Sequence, residues 1–223
     1  MSEDPSKHLS RREAERAVYL DFESHKEGPP FLAGVLIEGA FRQITFDPQL
    51  QIAAREAPRG TEVTTLPEFV DDLLSLCEEE GRRLVAYSKK ELQEIAATGE
   101  EYRLRARALY ADANKIAKRW MYREHRTRLS ELRAAVAKQK NRHTRKVGLK
   151  DYVATDLVDY EIPKHLRKQS LPTIAARTVR EQLTRRGAYG LLAKYAKRRW
   201  TTLLQYNESD CRAMQALVLT AVQ

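Results

Sequence analysis

The sequence predicts an α/β protein in which a mixed β-sheet is flanked by helices. Three short β-rich runs come first, over residues 17–22, 31–37 and 41–46, with polar turns between them. A helix, a strand and a second helix follow before residue 99. From residue 100 to about residue 142 the chain is rich in Ala, Leu, Arg and Lys and has no Gly or Pro, which predicts long helices.

The three early strands fit an antiparallel meander. Residues 31–37 are continuously apolar, Glu38 and Gly39 interrupt the run, and residues 41–46 alternate apolar with polar side chains. Residues 48–65 are predicted to form a loop that leads into a helix. We therefore expect the first three strands to be neighbours in the sheet.

Cap residues delimit the later helices. Pro67 suits the first turn of a helix over residues 66–81, which Gly81 ends. A strand is predicted over residues 83–87, and Ser88 is the expected N-cap of a helix that Gly99 closes. Three more helices are predicted over residues 149–158, 171–186 and 200–222.

Composition excludes several classes of protein. No apolar stretch approaches the roughly 20 residues that cross a bilayer, and the first 16 residues lack the apolar run of a secretory signal. We therefore expect a cytoplasmic protein with no membrane association. Cys77 and Cys211 are too few for a disulfide scaffold or a zinc cluster, and we expect them to fill apolar space.

Charge is divided sharply along the chain. Residues 1–99 hold 12 Lys and Arg against 19 Asp and Glu, a net charge of −7, whereas residues 100–223 hold 28 against 12, a net charge of +16. Basic helices are sometimes only solvated surfaces. An acidic half joined to a basic half instead favours a protein that holds metal through carboxylates and contacts a phosphate backbone.

Two acidic residues lie where the first predicted strand ends. Alternation along a strand puts Asp21 and Glu23 on one face, about 7 Å apart along the chain, with Phe22 on the other. Hard cations such as Mg²⁺ prefer oxygen ligands, so two carboxylates and a substrate phosphate can hold one. The alternative is an exposed strand that simply ends in acidic residues.

A tyrosine and an aspartate share one face of the last predicted helix. Tyr206 and Asp210 are four residues apart, on the stripe that also carries Leu203 and Met214. A carboxylate on a buried stripe is costly unless a cation pairs with it, and a metal ion or a neighbouring Arg would do so. The tyrosine hydroxyl could orient an attacking water.

These two motifs resemble those of a nuclease superfamily. YLDFE at a strand end and LLQYNESDC on a late helix are similar to the first and third motifs of the ribonuclease-H-like 3′-5′ exonucleases of the DEDD class, tyrosine subtype. Asp21 and Glu23 match the first motif, and Tyr206 and Asp210 match the third. The similarity is closest to the prokaryotic YprB-like and RecB-associated predicted nucleases, whose closing motif reads Tyr, Asn, two residues, Asp and a small residue.

The resemblance implies a ribonuclease-H-like sheet in one nuclease domain over residues 1–223. Residues 16–98 would form the sheet core, residues 100–198 a large basic helical insertion, and residues 199–222 the closing helix. It also implies two Mg²⁺ or Mn²⁺ ions held by four acids. The usual middle motif is absent: LVAYSKKELQEI stands in its place, so Glu91 is chosen as the third ligand and Asp112 is its rival.

The basic segment supplies candidate contacts to nucleic acid. Cations interleaved with Tyr102, Tyr110, Trp120 and Tyr122 suit single-stranded DNA or RNA, because exposed aromatic rings stack on unpaired bases. Core packing is the alternative for Trp120 and Tyr110. Cations just before the closing helix could hold the scissile strand. The candidate phosphate contacts are Arg103, Arg107, Lys115, Lys118, Arg119, Arg123, Lys146, Lys194, Lys197, Arg198 and Arg199.

The sequence thus predicts a two-metal nuclease that hydrolyses phosphodiester bonds, as a 3′-5′ exonuclease. A non-catalytic nucleic-acid-binding module and a structure-selective endonuclease, both on the same fold, are the alternatives. Preference for DNA or RNA stays open, as does action beside a helicase or another nuclease domain.

Overall fold

The computed structural model of the chain describes residues 8–25, 28–140, 147–167 and 171–223. A short helix, α1 (Arg11–Arg16), precedes the first strand. Strands β1 (Val18–Ser24), β2 (Pro30–Ile37) and β3 (Ala40–Thr45) pair antiparallel in sequence order. The predicted meander is therefore confirmed.

Three shorter strands complete a six-stranded mixed sheet. Strand β4 (Glu62–Val63) pairs parallel with β3, and β5 (Leu84–Ala86) pairs parallel with β1. Strand β6 (Tyr110–Asp112) pairs parallel with β5, so the order is β4-β3-β2-β1-β5-β6. Because β1, β5 and β6 run in the same direction, their carboxyl ends lie at one edge of the sheet.

Strand β6 corrects the sequence prediction. Residues from 100 onward were expected to be helical, and the sheet core was expected to end at residue 98, yet β6 forms an edge of the sheet. Three residues are too few to show the alternation of a strand, and the neighbouring residues favour helix. Pairing with β5 stabilises the strand conformation that the local sequence does not favour.

Helices connect and cover these strands. The predicted caps at Ser88 and Gly81 are confirmed, the latter with a φ of +61° that suits glycine. Gly99 instead precedes a new helix, and the last helix begins six residues before the predicted residue 200. The remaining helices are α2 (Gln51–Glu56), α3 (Leu66–Glu79), α4 (Lys89–Ala96), α5 (Glu100–Leu109), α6 (Ala113–Glu124), α7 (Arg126–Lys140), α8 (Leu149–Val153), α9 (Leu171–Arg186) and α10 (Lys194–Ala221).

The two faces of the sheet are buried by different helices. Val18, Leu20 and Phe22 pack with the apolar side of α3, whereas Tyr19 packs with α6, α8 and α10. Alternation then directs Asp21 and Glu23 to the same side as Tyr19. The fold therefore brings the first acidic motif under the helix that carries the second one.

Two expectations from composition can be compared with the structure. Both cysteines are buried and free, as predicted. In the described part of the chain, the helices fall short of the length and apolar character that a bilayer crossing requires.

Candidate functional site

Helix α10 is fixed to the sheet by a buried asparagine. Asn207 is 0 % exposed, and its Nδ2 donates to the backbone oxygen of Asp21 at 3.1 Å and to Asp21 Oδ2 at 2.8 Å. Its Oδ1 accepts a bond of 3.1 Å from Gln43 Nε2. Gly34 stands opposite Asp21 in β2, and a Cβ there would lie 2.3 Å from Asn207 Oδ1. Only glycine leaves room for this contact.

Cys211 adds a second contact between α10 and the same point of the sheet. Its Sγ donates to the backbone oxygen of Gly34 at 3.4 Å. Asn207 lies one turn before Asp210 on α10, and Cys211 follows Asp210 directly. A rotation or a shift of the helix would therefore break these bonds. The position of Asp210 relative to Asp21 is therefore set by its neighbours.

The predicted acids influence one another through their charges. Burial, followed by the charges of Glu23, Asp210 and Glu91, raises the pKa of Asp21 well above its usual value. Burial and the charge of Asp210 raise the pKa of Glu23 to about 8. Burial raises the pKa of Asp210 to about 6. Carboxylates from β1, the start of α4 and α10 therefore share one low-dielectric region.

Glu91 and Asp112, the rivals for the third position, have different surroundings. Glu91 is buried in a capping box, where Ser88 Oγ donates to its Oε2 at 3.0 Å, and its charge raises the pKa of both Asp21 and Glu23. Asp112 caps α6 by accepting a 2.9 Å bond from the backbone nitrogen of Lys115. The charges that act on the pKa of Asp112 are those of lysines. The electrostatic connection to Asp21 thus belongs to Glu91.

A lysine that the sequence analysis did not single out lies among these acids. Lys150 Nζ is 3.4 Å from Asp210 Oδ1 and 3.4 Å from the centre of the Tyr206 ring. It also donates to the backbone oxygen of Leu166 at 3.2 Å. The charge of Lys150 opposes the effect of burial on the pKa of Glu23 and of Asp210. The cation beside Asp210 is therefore a lysine from α8, not the arginine considered from the sequence.

The donor set has the chemistry of a site for a hard divalent cation. Its ligand atoms are carboxylate oxygens, and Asp210 Oδ1 is buried with no well-directed hydrogen bond. Within the described ranges, however, no three Asp, Glu, His or Cys side chains are gathered closely enough to hold an ion as they stand. Asp21, Glu23, Glu91 and Asp210 fit a cation by charge and atom type, and coordination would require them to move closer together.

Most of the predicted phosphate contacts lie on the surface, but several already have partners. Arg103 pairs with Glu100, Arg123 pairs with Glu124, and Arg119 bonds to His8. Arg107 and Lys118 are exposed, and Lys115 is half-buried. Lys146 lies outside the described residues.

The cations at the start of α10 are farther from Asp210 than their closeness in sequence suggested. Lys194 and Arg198 are exposed, Lys197 donates to the backbone oxygen of Gly190 at 2.6 Å, and Arg199 donates to Thr178 Oγ1. Because α10 is one continuous helix, Arg199 is about 16 Å along its axis from Asp210. Contact of these cations with the scissile strand stays a prediction.

The interleaved aromatic residues divide between core and surface. Tyr110 and Trp120 are buried, which is the core packing considered as the alternative, and Tyr102 packs against the core around α3. Tyr122 is 58 % exposed, with the guanidinium of Arg126 5.1 Å from its ring centre. Of the four, Tyr122 is the one available to stack on a base.

Sequence reasoning missed Asn207 as a structural link and Lys150 altogether. The Tyr-Asn pair of the closing motif was a signal for Asn207, and the structure explains both that asparagine and the small residue after Asp210. For Lys150 no such signal existed, because it stands in a five-residue helix 60 positions before Asp210.

Comparison of the chain with protein-family models, with curated proteins and with solved structures found no match. The function is therefore inferred from the arrangement of these side chains.

Proposed function

We propose that this protein is a divalent-metal-dependent nuclease of the ribonuclease-H-like superfamily that removes nucleotides from the 3′ end of single-stranded DNA or RNA. The observation that carries the proposal is that acids from three distant segments lie at one edge of the sheet, near enough for their charges to act on one another. The charges of Glu23, Glu91 and Asp210 all raise the pKa of Asp21. Such a cluster of acids lowers the stability of the fold unless a bound cation neutralises its charge.

The acids would hold the metal, and the remaining polar groups would prepare the attacking water. Asp21, Glu23, Glu91 and Asp210 would bind two Mg²⁺ or Mn²⁺ ions, which when bound supply Lewis-acid activation of water and stabilisation of the leaving oxygen. Tyr206 lies one turn from Asp210 on α10 and orients the water through its hydroxyl. The elevated pKa values mean that metal binding releases protons from the cluster.

The reaction is a hydrolysis with inversion at phosphorus. The water oxygen forms a bond to the phosphorus, the bond from phosphorus to O3′ breaks, and its electron pair stays on O3′, which takes up a proton. The proton lost by water passes to solvent. The products are a nucleoside 5′-monophosphate and a strand shortened by one nucleotide.

A second candidate is a non-catalytic nucleic-acid-binding module on the same fold. The absence of the usual middle motif and the spacing of the acids favour it. A structure-selective endonuclease would share the proposed site and differ in where it cuts.

One assay separates these functions. End-labelled single-stranded DNA and RNA are incubated with the purified protein and Mn²⁺, and the products are resolved by length. A ladder that shortens from the 3′ end supports the exonuclease, internal cuts indicate an endonuclease, and retention without cleavage indicates a binding module.

Substitution of Asp21 assigns any cleavage to the proposed site. Asp21→Asn keeps an oxygen that can accept from Asn207 and removes the charge, so we expect cleavage to be lost while folding and binding persist. Asp72→Asn, the same chemical change at an exposed position of α3, is the matched control and should cleave normally. Full activity of the Asp21→Asn protein would contradict the proposed function.

A further inference from the structure

Lys150 places a buried positive charge inside the acidic cluster, and the proposed mechanism does not use it. The side chain is 12 % exposed and that of Asp210 is 14 % exposed. An ammonium at such a position is costly unless acids balance it. Of the groups around it, Asp210, Glu23 and Asp21 favour its charged form, and burial opposes it.

Packing and capping of α8 hold Lys150 in place. Tyr152 and Val153, on the same short helix, are buried in the core beneath α10. At the start of the helix, the backbone nitrogen of Gly148 donates to Asp151 Oδ2 at 2.8 Å. The ammonium is also tied to the backbone oxygen of Leu166. Lys150 is thus fixed over Tyr206 and beside Asp210, unlike a flexible surface lysine.

The contacts of Lys150 reach both residues of the third motif. Its Nζ lies over the ring of Tyr206 at the distance of a cation–π contact and at ion-pair distance from Asp210. A divalent cation bound to Asp210 would occupy the region that the ammonium now neutralises. Two positive charges in one low-dielectric region repel each other.

We propose that Lys150 is a positioning residue whose ammonium is the resident counter-ion of the acidic cluster: it holds Asp210 and Tyr206 in place before metal binds and opposes the first divalent cation. The second part rests on the proposed function, whereas the first part depends only on the contacts of the chain. If Lys150 opposes the first divalent cation, its loss should strengthen metal binding. If Lys150 were purely structural, its loss would instead disorder the site and weaken metal binding.

The test compares Lys150→Met, Lys150→Arg and the exposed control Lys164→Met with the unchanged chain. In EDTA at pH 7.5 we expect the melting temperature of Lys150→Met to fall by roughly 5 °C or more. By titration calorimetry we expect the same variant to bind Mn²⁺ about 5- to 150-fold more tightly, the range typical of coupling between two sites. Lys150→Arg and Lys164→Met should resemble the unchanged chain in Mn²⁺ affinity.

A double variant keeps the test decisive if Lys150→Met folds poorly. Lys150→Met combined with Asp210→Asn removes both charges and should melt higher than Lys150→Met alone. Failure of this double variant to regain stability, or a Mn²⁺ affinity of Lys150→Met that is unchanged or weaker, would overturn the inference. If the unchanged chain binds no Mn²⁺, the proposed function fails and the opposing role fails with it, while the melting temperatures in EDTA still decide whether Lys150 is the counter-ion.

Discussion

Asn207 joins helix and sheet through a single side-chain amide. It bonds to Asp21 through its nitrogen and to Gln43 through its oxygen, and it lies directly above Gly34. Asn207 and Gln43 are buried and Asp21 is half-buried, so the loss of one partner leaves another polar atom unsatisfied. The positions of Asp21 and Asp210 therefore depend on residues that need not contact a substrate.

Substitution of Gly34 tests this dependence. In Gly34→Ala the new methyl group would lie 2.3 Å from Asn207 Oδ1, so Asn207 must leave its place. We expect the free energy of unfolding in urea to fall by roughly 2 kcal/mol or more, and cleavage to be lost. Gly190→Ala, where a methyl group meets open space, is the control. Equal stability of the two variants would show that the asparagine contact is dispensable.

The acidic cluster predicts how stability depends on pH when metal is absent. The pKa of Glu23 rises from 4.5 to about 8 and that of Asp210 from 3.8 to about 6 on folding. The folded state thus binds protons more tightly than the unfolded state. The contribution of these two protonated acids to the free energy of unfolding is therefore complete below about pH 4 and is lost as pH rises to 8.

In EDTA, we expect the cluster to make the protein up to roughly 5 kcal/mol less stable at pH 8.5 than at pH 5. Denaturant melts at several pH values measure this change. The variant Glu23→Gln should show a flatter dependence, and a dependence equal to that of the unchanged chain would contradict the assignment.

Among the elements, α4 and α6 begin at the same edge of the sheet and differ in what their caps do. Glu91 belongs to the capping box of α4 and also acts on Asp21, whereas Asp112 caps α6 and is surrounded by the charges of lysines. A cap signal in the sequence indicates where a helix begins and carries no information on which acid acts on the acidic cluster.

Amide substitutions separate the two roles. Glutamine and asparagine retain cap function, so Glu91→Gln and Asp112→Asn should both melt within a few degrees of the unchanged chain. We expect Glu91→Gln to slow cleavage by at least roughly tenfold to a hundredfold, the loss seen even for groups that only support a metal ligand, and Asp112→Asn to cleave at nearly the normal rate. The reverse pattern in single-turnover rates would make Asp112 the third ligand.

Element by element, the prediction succeeded where the signal was local. The early strands show alternation or apolar runs, and Ser88 and Gly81 mark helix ends through a side chain and a φ angle, respectively. Strand β6 is too short for periodicity, and pairing with β5 defines it. The helix predicted over residues 149–158 begins at the predicted residue and is shorter, because α8 ends at Val153.

Over the whole molecule, the basic half of the chain predicts binding that depends strongly on salt. Each phosphate contact releases counterions, so the logarithm of affinity for a single strand falls with the logarithm of salt concentration by about 0.7 per contact. We expect Lys118→Ala combined with Arg123→Ala to lower this slope by about 1.4 in fluorescence anisotropy titrations. Arg42→Ala removes a cation of strand β3, in the acidic half of the chain, and should leave the slope unchanged. An unaltered slope in the double variant would remove the surface of α6 from the interface.

The sequence by itself determined the α/β class, the antiparallel meander and most helix ends, because these depend on alternation and caps that act over a few residues. It also supplied Asp21, Glu23, Tyr206 and Asp210 as a hypothesis through two short motifs. Only the tertiary structure decided that Lys150 belongs to the acidic cluster, that Glu91 and not Asp112 acts on Asp21, and that β6 extends the sheet. Contacts between residues far apart in the chain leave no local periodicity, so the folded sheet and the α10 helix above it were needed to reveal them.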